Sequence, residues 1–420
     1  MIPSHKKILI LGGDYLEIEI LNRAKLLDYY TIVTDNHEDW SLSPAKQMAD
    51  EGWNLSWADI DTLEKKCRDE KVDGVIAGFS EFRIDAMIKL CGCLGFPCSL
   101  TMHQLDVTRN KILFKETCRK YGVPTVPEYA FDTVKRFPVI VKPVDRAGSI
   151  GINVAYDKSE LEIYYQNALS LSPSKHVIIE NFITDGTKFD VYYYVQDGKV
   201  NFLGSSDTIM CKGEKGAKIL QKCWPFRSKY EYAYRRSVEP NIKMMFESLG
   251  IRNAYATMSA FYVEGKFYFF EAGFRLSGEL SFNYQEAITG INYIDTMLKF
   301  SMKENDETVY RDIDAINKHS AVLNFFVVDG QVKRIEGLDV ISNLPAVYSA
   351  RLYVKEGDVI CNNTNVFKKG AMITLIEDTH DGLISTITEV NKNFDIIGVD
   401  GKSLIYERVT ENELTEYYKM

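Results

Sequence analysis

The first hundred residues alternate short apolar runs with helical stretches, and this alternation constrains the fold more than any other feature. "KKILILGG" (Lys6–Gly13) reads as a buried strand ending in glycines. About Leu16 to Tyr29 has helical spacing. "YTIVTDN" (Tyr30–Asn36) and "VDGVIAGFSE" (Val72–Glu81) read as further strands, and "EFRIDAMIKLCGCLG" (Glu81–Gly95) as a helix closed by its glycine. Strands separated by helices predict a parallel sheet with right-handed crossovers. Ligands bind such sheets at the carboxyl ends of the strands, here near Gly12, Gly13, Asp35 and Ser80-Glu81. "LGGDYLE" lacks the third glycine of GxGxxG, so it is a tight turn and opposes a dinucleotide dehydrogenase.

The pattern then changes. In "NKILFKETCRKYGVPTVPEY", Leu113, Phe114, Cys118 and Tyr121 follow helical spacing, Gly122 ends the helix, and Pro124 and Pro127 force an extended entry into a second domain. From about 130 to 300, "RFPVIVKP", "IGINVAY", "KHVIIENFI", "KFDVYYYVQDGKVNFLG" and "AYATMSAFYVEGKFYFFEAG" read as strands, several joined by Asp-Gly or Glu-Gly turns that mark antiparallel hairpins. "KSELEIYYQNALSL" is a helix between them. "AVLNFFVVDGQVKRIEG" (Ala321–Gly337) predicts another hairpin. The expected organisation is α/β followed by α+β: a parallel α/β domain over 1–108, a mixed α+β domain over 109–310 with a small lid at about 125–185, and a small β-rich domain over 311–420.

The net charge of −9 argues against nucleic-acid or anionic-membrane partners, though not against a local basic pocket. No run of about 18 apolar residues exists to span a membrane. "MIPSHKKILILGGDY" reads as a first strand and not a secretion signal, so a cytoplasmic location is expected. The eight cysteines are scattered. Cys91, Cys93 and Cys98 do not form CxxC and are expected to be reduced, mostly buried thiols.

"VIVKPVDRAGSIGINV" (Val139–Val154) ends a buried strand on Lys142, turns through small residues, and resumes. A Gly/Ser loop over a strand-end lysine can cradle phosphate; alone it is equally a plain hairpin with a surface lysine. GxxxxGK[ST] is absent, which excludes a P-loop protein. Glu180-Asn181-Phe182-Ile183 ends a later strand, where freed backbone groups could bond a flat base. Lys188 and Asp190 share one strand face. Glu271 ends a hydrophobic strand with Arg275 four residues on, which is either a metal ligand with a phosphoryl clamp or a surface ion pair. Lys212, Lys215 and Lys218 read as a solvated loop or as one that reaches toward a substrate or phosphate, and the tyrosines at 192–194 as sheet residues.

In this order, the N-terminal domain, the "NKILFKETCRKYGVPTVP" helix, the "FPVIVKP…AGSIGI" lysine and loop, the "VIIENFI" hinge and the "FFEAGFR" strand resemble the ATP-grasp family over residues 6 to 305. The resemblance implies the fold of that family: an N-terminal pre-ATP-grasp domain, a central ATP-grasp domain and a small C-terminal domain. It also implies ATP and Mg2+ as cofactors. It assigns Lys111 and Lys142 to nucleotide phosphates, and Gly148, Ser149 and Gly151 to the loop that closes over them. Glu180, Asn181 and Ile183 match the adenine hinge, the latter two through backbone groups. Glu271 matches the carboxylate that bridges magnesium, and Arg275 the catalytic arginine on the transferring phosphoryl group.

The chain departs from the family pattern at three places. Lys188 stands where an acid usually grips ribose, so Asp190 is the expected substitute. Gly273 replaces the asparagine of E-x-N. Ser259 replaces the acid twelve residues before Glu271, leaving Glu279 as the expected second metal ligand. The implied activity is an ATP-dependent ligase in which a substrate carboxylate becomes an acyl-phosphate attacked by an amine or thiol. The alternative is a weakened or inactive ATP-binding sensor or assembly protein of the same fold. The implied partners are small-molecule carboxylates and amines, with a homodimer possible. The C-terminal hundred residues resemble, more loosely, the carbamoyl-phosphate synthase, biotin carboxylase and amino-acid ligase branches; a biotin carboxylase is disfavoured because the paired acids and a carrier domain are not evident.

Overall fold

The computed structural model describes residues 5–146, 150–212, 220–310, 313, 318–362 and 367–419. The alternating N-terminal pattern forms a four-stranded, wholly parallel sheet. Its order is Glu51–Asn54, Tyr30–Asp35, Lys7–Leu11, Gly74–Ile76. Ile8 to Leu11 are fully buried, as a central strand covered on both faces requires. The strand Glu51–Asn54 was not legible, because "EGWN" carries neither alternation nor a β-branched residue. Glu81–Leu94 is helical and ends at Gly95, whose φ of +69° gives the left-handed cap.

Two antiparallel sheets follow. The small one orders Glu128–Tyr129, Val177–Asn181, Val139–Pro143 and Asn153–Ala155, with helix Lys158–Leu171 packed on it. The large one has nine strands. Its path runs from Lys266–Gly273 through Ala254–Val263, Thr187–Gln196, Lys199–Asp207, Gln221–Phe226 and His319–Val327 to Lys368–Glu377 and Val347–Leu352, with Ile209–Met210 added beside Gln221–Phe226. Tyr192, Tyr193 and Tyr194 are buried in it, as their place in an apolar strand predicts.

The expected hairpin at Asp329-Gly330 does not form. Both edges of His319–Val327 are taken, by Gln221–Phe226 and Lys368–Glu377. The following strand, Gly330–Glu336, therefore leaves to pair with Val359–Ile360 and Asp395–Gly398 in a separate three-stranded sheet. Strands beyond residue 311 thus continue the large sheet begun before it.

The small sheet is fastened to one edge of the large one. Phe269 N–H donates to the Pro124 carbonyl at 2.9 Å, and Val126 N–H donates to the Phe269 carbonyl at 3.3 Å. The ammonium of Lys142, on the small sheet, lies 6.0 Å from the ring of Phe270 on the large one. The residue after Phe270 is Glu271, which is exposed. The two sheets therefore face one another across this line.

Candidate active site

Lys111 opens the helix Lys111–Lys120, whose N-cap Asn110 accepts from the N–H groups of Ile112 and Leu113. A cation in a first helical turn opposes the helix dipole. Its Nζ donates to the Arg146 carbonyl at 2.8 Å. Burial, and then the neighbouring Lys142 ammonium, depress Lys111 below the ordinary lysine range, while Glu271, Glu180 and Glu81 pull it upward. Lys142 bonds Glu180 at 2.5 Å. Glu180 is also paired with Lys115, which is 1% exposed. Burial pushes the Glu180 carboxyl up, but the two ammonium groups outweigh it and hold it below the usual glutamate range.

Arg275 follows the strand Lys266–Gly273 and lies 3.8 Å from Glu81, at the start of the N-terminal helix Glu81–Leu94. Burial raises the Glu81 carboxyl; Arg275 lowers it, Glu271 raises it further, and Lys111 and Arg109 lower it. Three lysine and arginine positions expected to act on phosphate, Lys111, Lys142 and Arg275, thus converge with Glu271 and Glu81 from three separate parts of the chain.

A second group adjoins this one. Asp190 and Ser259 are directly paired across neighbouring strands, and Ser259 is in turn opposite Glu271. Laterally paired residues share a sheet face, so Asp190, Ser259 and Glu271 form one row. Lys188 donates to Asp190 Oδ2 at 2.6 Å and Ser259 to Oδ1 at 2.5 Å. Asp190 is 5% exposed. Each oxygen already accepts one hydrogen bond and the side chain is buried, so a ribose hydroxyl would have to share an oxygen with Lys188 or Ser259. Glu279 accepts from Ser277 Oγ at 2.9 Å.

Asn181 is corrected in part. Its N–H already donates to the Pro127 carbonyl at 3.0 Å, whereas the Ile183 backbone makes no hydrogen bond among the described residues. Of these two residues, Ile183 keeps an unpaired backbone N–H among the described residues. Gly148 and Ser149 lie outside the described residues, as do Lys215 and Lys218. Gly151 has φ +77°, and a Cβ on it would meet Pro143 and Leu171 at 3.0 Å. The carboxyl ends of the parallel strands are filled from within: Arg83 occupies the space beside Gly12 and pairs with Asp14 at 2.6 Å and Glu17 at 2.8 Å, and Asp35 is held by Lys46 and Ser43.

The sequence of residues 111–307 matches the carbamoyl-phosphate synthase L chain, ATP-binding domain. The chain has the ATP-grasp fold. It is 26% identical over 207 residues to a formate-dependent phosphoribosylglycinamide formyltransferase of Sulfurisphaera tokodaii, covering 46% of this chain and 51% of that one. It is 26% identical over 220 residues to a biotin carboxylase of Pseudomonas aeruginosa, covering 49% and 48%. The chain therefore spans about half the length of the relatives it matches. The fold is shared with the L-amino acid ligase from Bacillus licheniformis, at a TM-score of 0.77, 18% identity and coverage of 94% and 99%. Phosphoribosylglycinamide synthetase from Anaerococcus prevotii gives 0.73, 20% identity and coverage of 94% and 100%.

In a chain of this fold, the donor set suits a polyphosphate and one divalent ion. Glu271 is exposed and makes no hydrogen bond or ion pair among the described residues, and Glu279 has one oxygen occupied by Ser277. A second ion fits poorly. Ser259 and Gly273 offer no carboxylate or amide, Asp190 is buried with an ammonium and a hydroxyl already on its oxygens, and no cluster of three or more acidic, histidine or cysteine side chains suited to a metal exists among the described residues.

Two of the groups described above, Lys115 and Lys369, were missed from sequence, and two, Glu81 and Lys188, were named without a specific role. Lys115 is four residues from Lys111, a spacing that puts both on one helix face, and this was a usable signal. Glu81 lay at an expected strand end. Lys188 was placed on the Asp190 face and noted as a departure from the family pattern. Lys369, from the far strand Lys368–Glu377, left no local signal; its ammonium sits 5.4 Å from the Trp224 ring and 5.7 Å from the Tyr353 ring. Burial depresses it below the ordinary lysine range, with Glu279 opposing.

Proposed function

We propose that the protein is an ATP-dependent ligase that activates a substrate carboxylate as an acyl-phosphate. The observation that carries this reading is the approach of Lys111, Lys142, Glu271 and Arg275 to one another where the small sheet meets the edge strand of the large one. Lys111 and Lys142 would hold the α- and β-phosphates. The hinge carrying Ile183 would receive adenine through its free backbone. A substrate carboxylate oxygen attacks the γ-phosphorus, and ADP leaves. An amine, or less readily a thiol, then attacks the acyl carbon, and inorganic phosphate departs. Arg275 would neutralise charge on the transferring phosphoryl oxygens. Magnesium, held by Glu271 with Glu279 and the nucleotide, supplies further neutralisation of the phosphate oxygens.

The related proteins named above support the ligase class and leave the nucleophile open. A second reading, an ATP-binding sensor or assembly protein, is favoured by Ser259 and Gly273 at the two positions where metal ligands are expected. Release of ADP across a panel of amino acids and other carboxylates separates the two. Carboxylate-dependent turnover establishes the ligase; tight nucleotide binding with no turnover across the panel supports the sensor. Lys142→Ala should weaken ATP binding by at least about tenfold, since a charge-assisted phosphate contact contributes on the order of 1.5–3 kcal/mol. Lys115 remains as a partner for Glu180 in that variant. Unchanged affinity by calorimetry would remove Lys142 from the site.

A further inference from the structure

The row Asp190–Ser259–Glu271 is the place on the sheet where carboxylates gather, and Glu279 acts on the same spot. Lys188 lies within this group. Its side chain is 16% exposed, and its ammonium meets Asp190 at 2.6 Å. Burial opposes its charge, but Asp190, Glu279 and Glu271 together hold it above the ordinary lysine range. Ser259 Oγ completes the arrangement on the other oxygen of Asp190.

Asp190, Glu271 and Glu279 face the Lys188 ammonium, and Lys369 and Lys111 also act on Glu279 and Glu271, so the protein's own cations already offset much of the negative charge that would draw a second divalent ion. A second ion would have to displace Lys188 from Asp190 or share its charge at close range. Coulomb repulsion at such separations amounts to several kcal/mol in a partly solvated site.

We propose that Lys188 is a built-in cation that takes the place of a second divalent ion beside Asp190, so that the protein binds nucleotide with one metal. The inference rests on the nucleotide site proposed above and concerns how that site is charged. It also reconciles the missing ligands with an intact phosphate-binding set: where Ser259 and Gly273 withhold ligands, Lys188 supplies the positive charge.

The experiment counts Mn2+ by electron paramagnetic resonance on the full chain saturated with ADP. ADP occupancy is measured separately by calorimetry, with and without metal. The expected result is one Mn2+ per bound ADP in the wild type. Lys188→Gln, which removes the charge and keeps a polar side chain, should bind Mn2+ about tenfold more tightly or admit a second ion, as removal of a nearby unit charge predicts. Lys188→Arg should keep the count at one. Two Mn2+ per ADP in the wild type overturns the proposal, and this outcome stands even if Lys188→Gln does not fold. A Lys188→Gln protein with unchanged Mn2+ count and affinity also overturns it. Absence of ADP binding by the wild type overturns the nucleotide site itself and the inference with it; ADP binding with two metals overturns the inference alone.

Discussion

Buried charges in this protein are seldom left to one partner. Glu180 has two ammonium groups, Asp190 an ammonium and a hydroxyl, and Lys222 two glutamates, Glu407 and Glu413. Glu17 differs. It is fully buried, and its pKa is pushed up to about 7 by burial, against the pull of Arg83. A carboxyl whose folded value is raised stabilises the fold fully below its unfolded value, and that stabilisation is lost as pH rises through the folded value. Between about pH 4.5 and 7, Glu17 should therefore remove roughly 3 kcal/mol. Glu17→Gln should flatten that part of the stability–pH curve. The check is the difference in unfolding free energy between the two proteins at pH 5 and pH 8. Parallel curves would show that Glu17 is already ionised at the lower pH.

At the scale of elements, the helix Lys111–Lys120 joins the small sheet to the proposed phosphate site. Lys115 bonds the Val126 carbonyl at 2.7 Å and Glu128 at 2.9 Å, and it also pairs with Glu180. Lys115→Ala would leave Glu180 with Lys142 alone and should cost about 3–5 kcal/mol, the range for breaking a buried ion pair. Urea denaturation would measure it, and a loss below about 1 kcal/mol would mean that the pair is effectively solvated. Elements of this kind were legible where chemistry is local. The stop at Gly95, the helix Lys158–Leu171 and the charge at the end of Val139–Pro143 each follow from neighbouring residues. The partners of a strand are not local. Asp329-Gly330 carries a turn signal, yet the strand before it already has two neighbours. Likewise, Asp190 could be placed on a face from its spacing, but Ser259, which occupies one of its oxygens, comes from another strand altogether.

At the scale of the molecule, the site draws on regions far apart in the chain. Glu81 comes from the parallel domain, Lys142 from the small sheet, Glu271 from an edge strand of the large sheet and Lys369 from a strand at its far side. No linear motif holds these together, which is why Lys369 escaped the sequence and the substrate remains a proposal. The large sheet runs on through His319–Val327 without interruption. A fragment comprising residues 1–310 would bare one whole flank of Gln221–Phe226 and strand the Lys222 ammonium without its glutamates. Raw strand flanks recruit other chains, so this fragment should elute from size exclusion as aggregate, and a clean soluble monomer would contradict that. Anyone wishing to express the nucleotide-binding portion separately faces a seamless fabric: scissors applied there produce glue.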